Sequence, residues 1–77
     1  MIIKTVPTGE IQANCYIVMD EVTSEAVIID PGADEEIIEN LVKNMKAKIK
    51  YILLTHGHFD HVGAVEYLAD KFNAPFY

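Results

Sequence analysis

Cysteine is almost missing from this chain: Cys15 is the only one, so no internal disulfide can form and nothing points to an oxidising compartment. Basic residues are also scarce, six against twelve acidic ones, giving a net charge of −6. Phosphate backbones are held by clustered Lys and Arg, so this balance argues against nucleic acid as a partner, while the same negative field favours a divalent cation. No apolar run approaches the roughly 20 residues that span a bilayer. The opening residues, MIIKTVPTG, lack the charged segment, long apolar core and small-residue cleavage site of a secretory leader. No membrane partner is expected, and the cytoplasm is the expected location. Internal repeats, linkers and low-complexity segments are absent too.

What is present is an ordinary globular composition, with 51% apolar, 9% aromatic and 23% charged residues. At 77 residues the chain is one domain or part of one. A chain of this size buries only about 60% of its unfolded surface.

The residue pattern predicts the order β-β-β-α-β-α-(β). Residues 2–6 are a β-branched run ended by the turn signal Pro7-Thr8-Gly9. Residues 14–19 and 25–30 read as two strands, with the polar stretch 20–24 as a hairpin loop between them. Both strands are apolar on consecutive positions, which predicts cover on both faces. After Pro31-Gly32, a helix is predicted over 34–45. Its stripe is Ile37, Ile38, Leu41, Val42 and Met45; acidic residues fill its first turn, and Lys43, Lys46 and Lys48 lie at or beyond its last. Residues 49–55 form the fourth predicted strand, and 62–72 a second helix with Val65, Leu68, Ala69 and Phe72 on its buried face. Phe76-Tyr77 reads as the start of a further strand, which leads us to expect a truncated domain.

The chemistry concentrates in Thr55-His56-Gly57-His58-Phe59-Asp60-His61, which holds all three histidines of the molecule. Histidines two apart in a loop can turn their ring nitrogens toward one point. Asp60 and His61 are adjacent, so they point differently and can serve a second point nearby. Such a set suits two divalent ions, and its nitrogen content favours zinc over magnesium or calcium. Gly57 gives a tight ligand loop the backbone freedom it needs. Metal-assisted hydrolysis follows from two ions that hold a bridging water, lower its pKa and polarise a carbonyl or phosphoryl oxygen. Competing readings are surface histidines with Asp60 capping the second helix, and adventitious binding of a single metal.

These residues resemble the N-terminal half of a metallo-β-lactamase-fold hydrolase, most closely the glyoxalase II-like (hydroxyacylglutathione hydrolase-like) group. The resemblance rests on Asn14-Cys15-Tyr16, on Val27-Ile28-Ile29-Asp30-Pro31-Gly32, and on residues 55–63, and it covers essentially the whole chain. It implies an α/β (α+β) chain, a single partial domain over 1–77, forming half of a four-layer αββα sandwich. It implies His56 and His58 as ligands of a first metal and Asp60 and His61 as ligands of a second, Asp60 being also the candidate catalytic carboxylate. The implied cofactor is zinc, two ions in the complete site, with iron or manganese as alternatives. Asp30 is either a structural carboxylate beneath the metal loop or a turn-forming residue before Pro31-Gly32. The implied substrates are small-molecule thioesters or related esters. An inactive metal-binding or structural fragment and a mononuclear iron persulfide dioxygenase are the alternatives.

The ligand set is half a set. Family members add a third histidine to the first site, another histidine to the second and a bridging aspartate, yet no histidine follows His61 here. Asp70, inside the second predicted helix, reads as a solvated residue and not as the bridge. The uncovered sheet of a half-sandwich leads to the expectation of self-association or of a missing C-terminal half. Cys15 reads as a small core residue, and Tyr16, Tyr51 and Tyr67 as packing residues, with Tyr67 close enough in sequence to lie near the site. Phe59 is open between pocket wall and loop anchor.

Overall fold

The computed structural model describes residues 1–8, 13–32, 34–55 and 62–77. Within them run β1 (Ile2–Thr8), β2 (Ala13–Met19), β3 (Glu25–Ile29), α1 (Glu35–Met45), β4 (Lys48–Leu53) and α2 (Val62–Phe72). The predicted order is borne out, and α2 has the predicted bounds. β1 runs two residues further than predicted because Pro7 and Thr8 still pair with β2.

The four strands form one sheet in the order β1-β2-β3-β4. β1, β2 and β3 form an antiparallel meander, while β4 lies parallel to β3. A parallel pair cannot be closed by a tight turn, and α1 supplies the crossover. The β2–β3 hairpin closes through Asp20. Its side-chain Oδ1 accepts the Val22 N–H at 2.8 Å, and its carbonyl accepts the Ser24 N–H at 2.7 Å. Beyond β4, Phe76 forms a parallel bridge to Ile52, and the Tyr77 N–H donates to the Ile52 carbonyl at 2.9 Å. The strand start read from Phe76-Tyr77 is therefore paired at the β4 edge.

The core lies on one face of the sheet. Cys15, Ile17 and Met19 of β2, Ala26 and Ile28 of β3 and Ile52 of β4 pack with Ile38 and Val42 of α1 and Leu68 of α2. The opposite face departs from the expectation of two-sided cover. There Val18, Val27, Ile29 and Leu53 are half-buried, and Ile3, Tyr16 and Tyr51 are exposed. The strands look apolar throughout because both faces are apolar, but both described helices sit on the same side.

α1 begins at Glu35, one residue later than predicted. Asp34 takes the left-handed conformation, with φ 56°, and its carbonyl accepts the N–H groups of Ile37 and Ile38. Acidic Glu35 and Glu36 lie in the first turn and Lys43 in the last, as the helix dipole favours. No helix among the described residues is long and apolar enough to cross a membrane.

Candidate metal centre

Two elements deliver the chain to the histidine segment, β4 from one side and α2 from the other. His56, His58, Asp60 and His61, the predicted ligands, lie outside the described residues, as do Gly57 and Phe59. Among the described residues, no group of three or more His, Cys, Asp or Glu side chains is placed to hold a metal ion.

The approach from β4 is fixed by Asp30. β3 ends at Ile29, and Asp30 follows with φ 55°, a left-handed conformation that aspartate tolerates better than most residues. Its N–H still donates to the Leu53 carbonyl at 2.9 Å, so it remains tied to the neighbouring strand. Its carboxylate takes both donors of Thr55: Oδ1 accepts the backbone N–H at 2.7 Å, and Oδ2 accepts the hydroxyl. Thr55 directly precedes His56, so Asp30 grips the last residue before the first predicted ligand. Asp30 thus stands in a left-handed conformation at the end of β3, as a turn former before Pro31, with its carboxylate on Thr55; the loop that the other reading places above it lies outside the described residues.

Cys15 lies in the core and is fully buried. Burial pushes its thiol up to about 12, and the charge of Asp30 adds to the shift. A thiol held neutral in this way is no nucleophile at ordinary pH, which bears out its reading as a core residue. Asp70 is an exposed residue of α2, as expected.

Tyr67 packs against the core as expected, and it also carries a polar contact. It is half-buried, and its hydroxyl donates to Oε1 of Glu39 on α1 at 2.7 Å. Glu39 is the one buried charged side chain among the described residues. Its Oε2 lies 2.8 Å from Nζ of Lys43 and 4.0 Å from Nζ of Lys71. Lys71 also stands 5.9 Å from the centre of the Tyr67 ring, within cation–π range. The Glu39 carboxyl is held below its ordinary value, first by the hydrogen bond from Lys43 and then by that from Tyr67, with desolvation pulling the other way. The Tyr67 hydroxyl is pushed up to about 12, chiefly by its hydrogen bond to Glu39 and then by desolvation.

Sequence reasoning missed both Thr55 and Glu39 as partners. For Glu39 the available signal was Lys43 at i+4, which reads as an ordinary surface pair; its position beside Ile38 on the edge of the apolar stripe was the cue to burial. For Thr55 no signal connects it to a carboxylate 25 positions upstream.

Comparison with known proteins places these features in a family. The profile of the Metallo-beta-lactamase superfamily matches residues 8–77. The hydroxyacylglutathione hydrolase GloC of Haemophilus influenzae is 39% identical over 72 residues, covering 94% of this chain and 34% of GloC. Among solved structures, the B3 metallo-beta-lactamase BLEG-1 superposes with a TM-score of 0.89 at 43% identity, covering 99% of this chain and 36% of that one. TTHA1623, solved in a di-iron-bound form, gives 0.81 at 39% identity, covering 96% and 36%. The chain thus spans about a third of the length of the proteins it is similar to.

Proposed function

This chain belongs to the metallo-beta-lactamase superfamily, and from that membership we propose that it carries the first part of a metal-dependent hydrolase acting on thioesters or related esters. His56, His58, Asp60 and His61 are the proposed ligands. The observation that carries the reading is the grip of Asp30 on Thr55, the residue that directly precedes His56 in the sequence. The chemistry of this donor set fits zinc, and it fits iron as well. The similarity to GloC supports a thioester, and the di-iron form of TTHA1623 supports iron as a second candidate metal.

Metal bound here would supply an acidified water and polarisation of the substrate carbonyl. The protein's own part is positional. Asp30 ties Thr55, the residue before the first proposed ligand, to the end of β3 and removes freedom that Thr55 would otherwise have. Two ligands per ion fall short of the three or four usual for zinc. The remaining ligands would come from the rest of a longer protein or from a second copy of the chain.

The test is metal analysis joined to a thioester assay on the full-length protein. About two equivalents of zinc or iron per chain, together with hydrolysis of a hydroxyacylglutathione, support the reading. His58→Ala should abolish tight metal binding, and Asp30→Ala should weaken it roughly 10- to 100-fold while leaving every ligand in place. Unchanged metal content in His58→Ala overturns the ligand assignment. A single redox-active iron with oxygen uptake and no hydrolysis moves the protein to the dioxygenase class, and little metal with no turnover to the inactive class.

A further inference from the structure

Glu39 is a buried carboxylate where α1 meets α2, at a place where a well-packed apolar side chain would join the two helices equally well at any pH. A carboxylate makes the junction conditional on its charge. We propose that Glu39 is an acid-released latch between α1 and α2, closed while its carboxylate is ionised and loosened when it takes up a proton. The latch uses none of the proposed metal ligands.

Each helix has its own apolar hold on the rest of the chain, and these contacts do not titrate. α1 buries Ile38 and Val42; α2 buries Ala64, Val65 and Leu68, with Ala69 and Phe72 packed against the core. The polar links between the helices are different. Among the described residues, every hydrogen bond and ion pair that joins α1 to α2 ends on Glu39: the Tyr67 hydroxyl donates to Oε1 at 2.7 Å, and Lys71 Nζ lies 4.0 Å from Oε2. Lys43 of α1 reaches the same Oε2 at 2.8 Å. One proton therefore acts on all of them together.

Protonation weakens each contact for a stated reason. The Tyr67 bond changes from a charge-assisted one to a neutral one, and charge-assisted bonds are roughly twice as strong. Lys43 and Lys71, which converge on one oxygen, are left as two cations with no anion between them. The groups that face the cluster are Lys43 from α1, Tyr67 and Lys71 from α2, and the nearby charges of Glu35 and Glu36 on α1. Hydrogen bonds from Lys43 and then Tyr67 hold the carboxyl below its ordinary value, so the latch stays shut at neutral pH and opens only as pH falls through that lowered value. The apolar faces then keep the helices on the sheet, while their junction loosens.

Hydrogen exchange of the full-length protein tests the latch, read peptide by peptide from pH 7 down to the acid transition and corrected for the intrinsic pH dependence of exchange. In the wild type, α1 and α2 should lose protection about tenfold to a hundredfold before β2 and β3 lose any. Glu39→Gln keeps an acceptor for Tyr67 but carries no charge, so it should show the lowered helix protection already at pH 7 and no acid step. Lys43→Met removes a group that holds the carboxylate ionised, and should move the acid step to higher pH by roughly half a pH unit. Helices and sheet that lose protection together in the wild type overturn the proposal. So does an acid step in Glu39→Gln equal to that of the wild type, which would assign the proton to another carboxylate such as Glu35 or Glu66. If Glu39→Gln does not fold, the midpoint in Lys43→Met decides, and an unchanged midpoint there also overturns the latch.

Discussion

Glu39 and Tyr67 form a single proton-linked unit whose two members respond to opposite ends of the pH scale. Glu39 faces Lys43 from its own helix and Tyr67 and Lys71 from α2, while Glu35 and Glu36 add negative charge near Tyr67. Because folding lowers the pKa of Glu39, its contribution to stability is present above the unfolded carboxylate value, near 4.3, and is lost as pH falls through the folded value. Tyr67 runs the other way. Its folded pKa is raised to about 12, so its contribution is complete below its ordinary value near 10 and is lost as pH rises through the folded one. Urea denaturation should accordingly find Glu39→Gln less stable than wild type at pH 7, with the gap closing below about pH 4. A gap that stays constant down to pH 3 counts against an ionised, paired Glu39. At this scale the sequence was legible where a residue's neighbours in the chain decide its role. Cys15 sits in an apolar strand and is buried as read; Asp70 sits on a helix face and is exposed as read. Glu39 and Thr55 were illegible because their partners lie 28 and 25 positions away. The side chains that would carry the chemistry, His56, His58, Asp60 and His61, are legible in sequence alone, since they lie outside the described residues.

Elements were the most legible level, and their ends the least. The i, i+3, i+4 spacing of Ile38, Leu41, Val42 and Met45 marks α1 without help from tertiary contacts, although Ile37, read into the same stripe, is exposed, and the β-branched runs mark β2 and β3. Helix ends depend on backbone conformations that the residue types do not announce. α1 ends on Lys46, which takes φ 57° where glycine is the usual choice, and its N–H closes back onto the carbonyls of Lys43 and Val42. α2 ends on Asn73 in the same conformation, and asparagine is at home there. This contrast sets an expectation for Lys46. A β-branched replacement, Lys46→Val, should cost about 1–2 kcal/mol of unfolding free energy, read by chemical denaturation, because the left-handed region crowds its Cβ substituents. Lys46→Gly should gain about 0.5 kcal/mol, the relief of that crowding less the entropy that glycine loses on folding. Equal stability of the two variants would show that Lys46 does not hold a left-handed conformation in solution.

Over the whole molecule, the asymmetry of the sheet decides what the chain needs around it. Helices α1 and α2 cover one face, and the other presents a cross-strand row of Ile3, Val18, Val27 and Tyr51, with Tyr16, Ile29 and Leu53 beside it. Tyr77 adds an edge-on ring contact to Tyr51 at 6.2 Å, extending the apolar surface past β4. The alternation of buried and half-buried positions was hidden in the sequence, because apolar residues on both faces erase the period-two signal that normally tells them apart. Monomeric proteins rarely leave a contiguous apolar surface of this kind open. The chain spans about a third of the proteins it resembles, so the cover proposed for this face is either the rest of a longer protein or a second copy. Prepared alone, the 77 residues should self-associate at micromolar concentration, which sedimentation velocity reads directly. Val27 lies at the centre of the row, between Val18 and Tyr51, so Val27→Lys should shift the chain toward monomer while its far-ultraviolet circular dichroism is kept. The charge acts on the open face alone, since the core packs on the other. A wild-type chain that sediments as a folded monomer would mean that this half-sandwich closes its own apolar face. A longer protein or a second copy would then no longer be needed to cover the sheet.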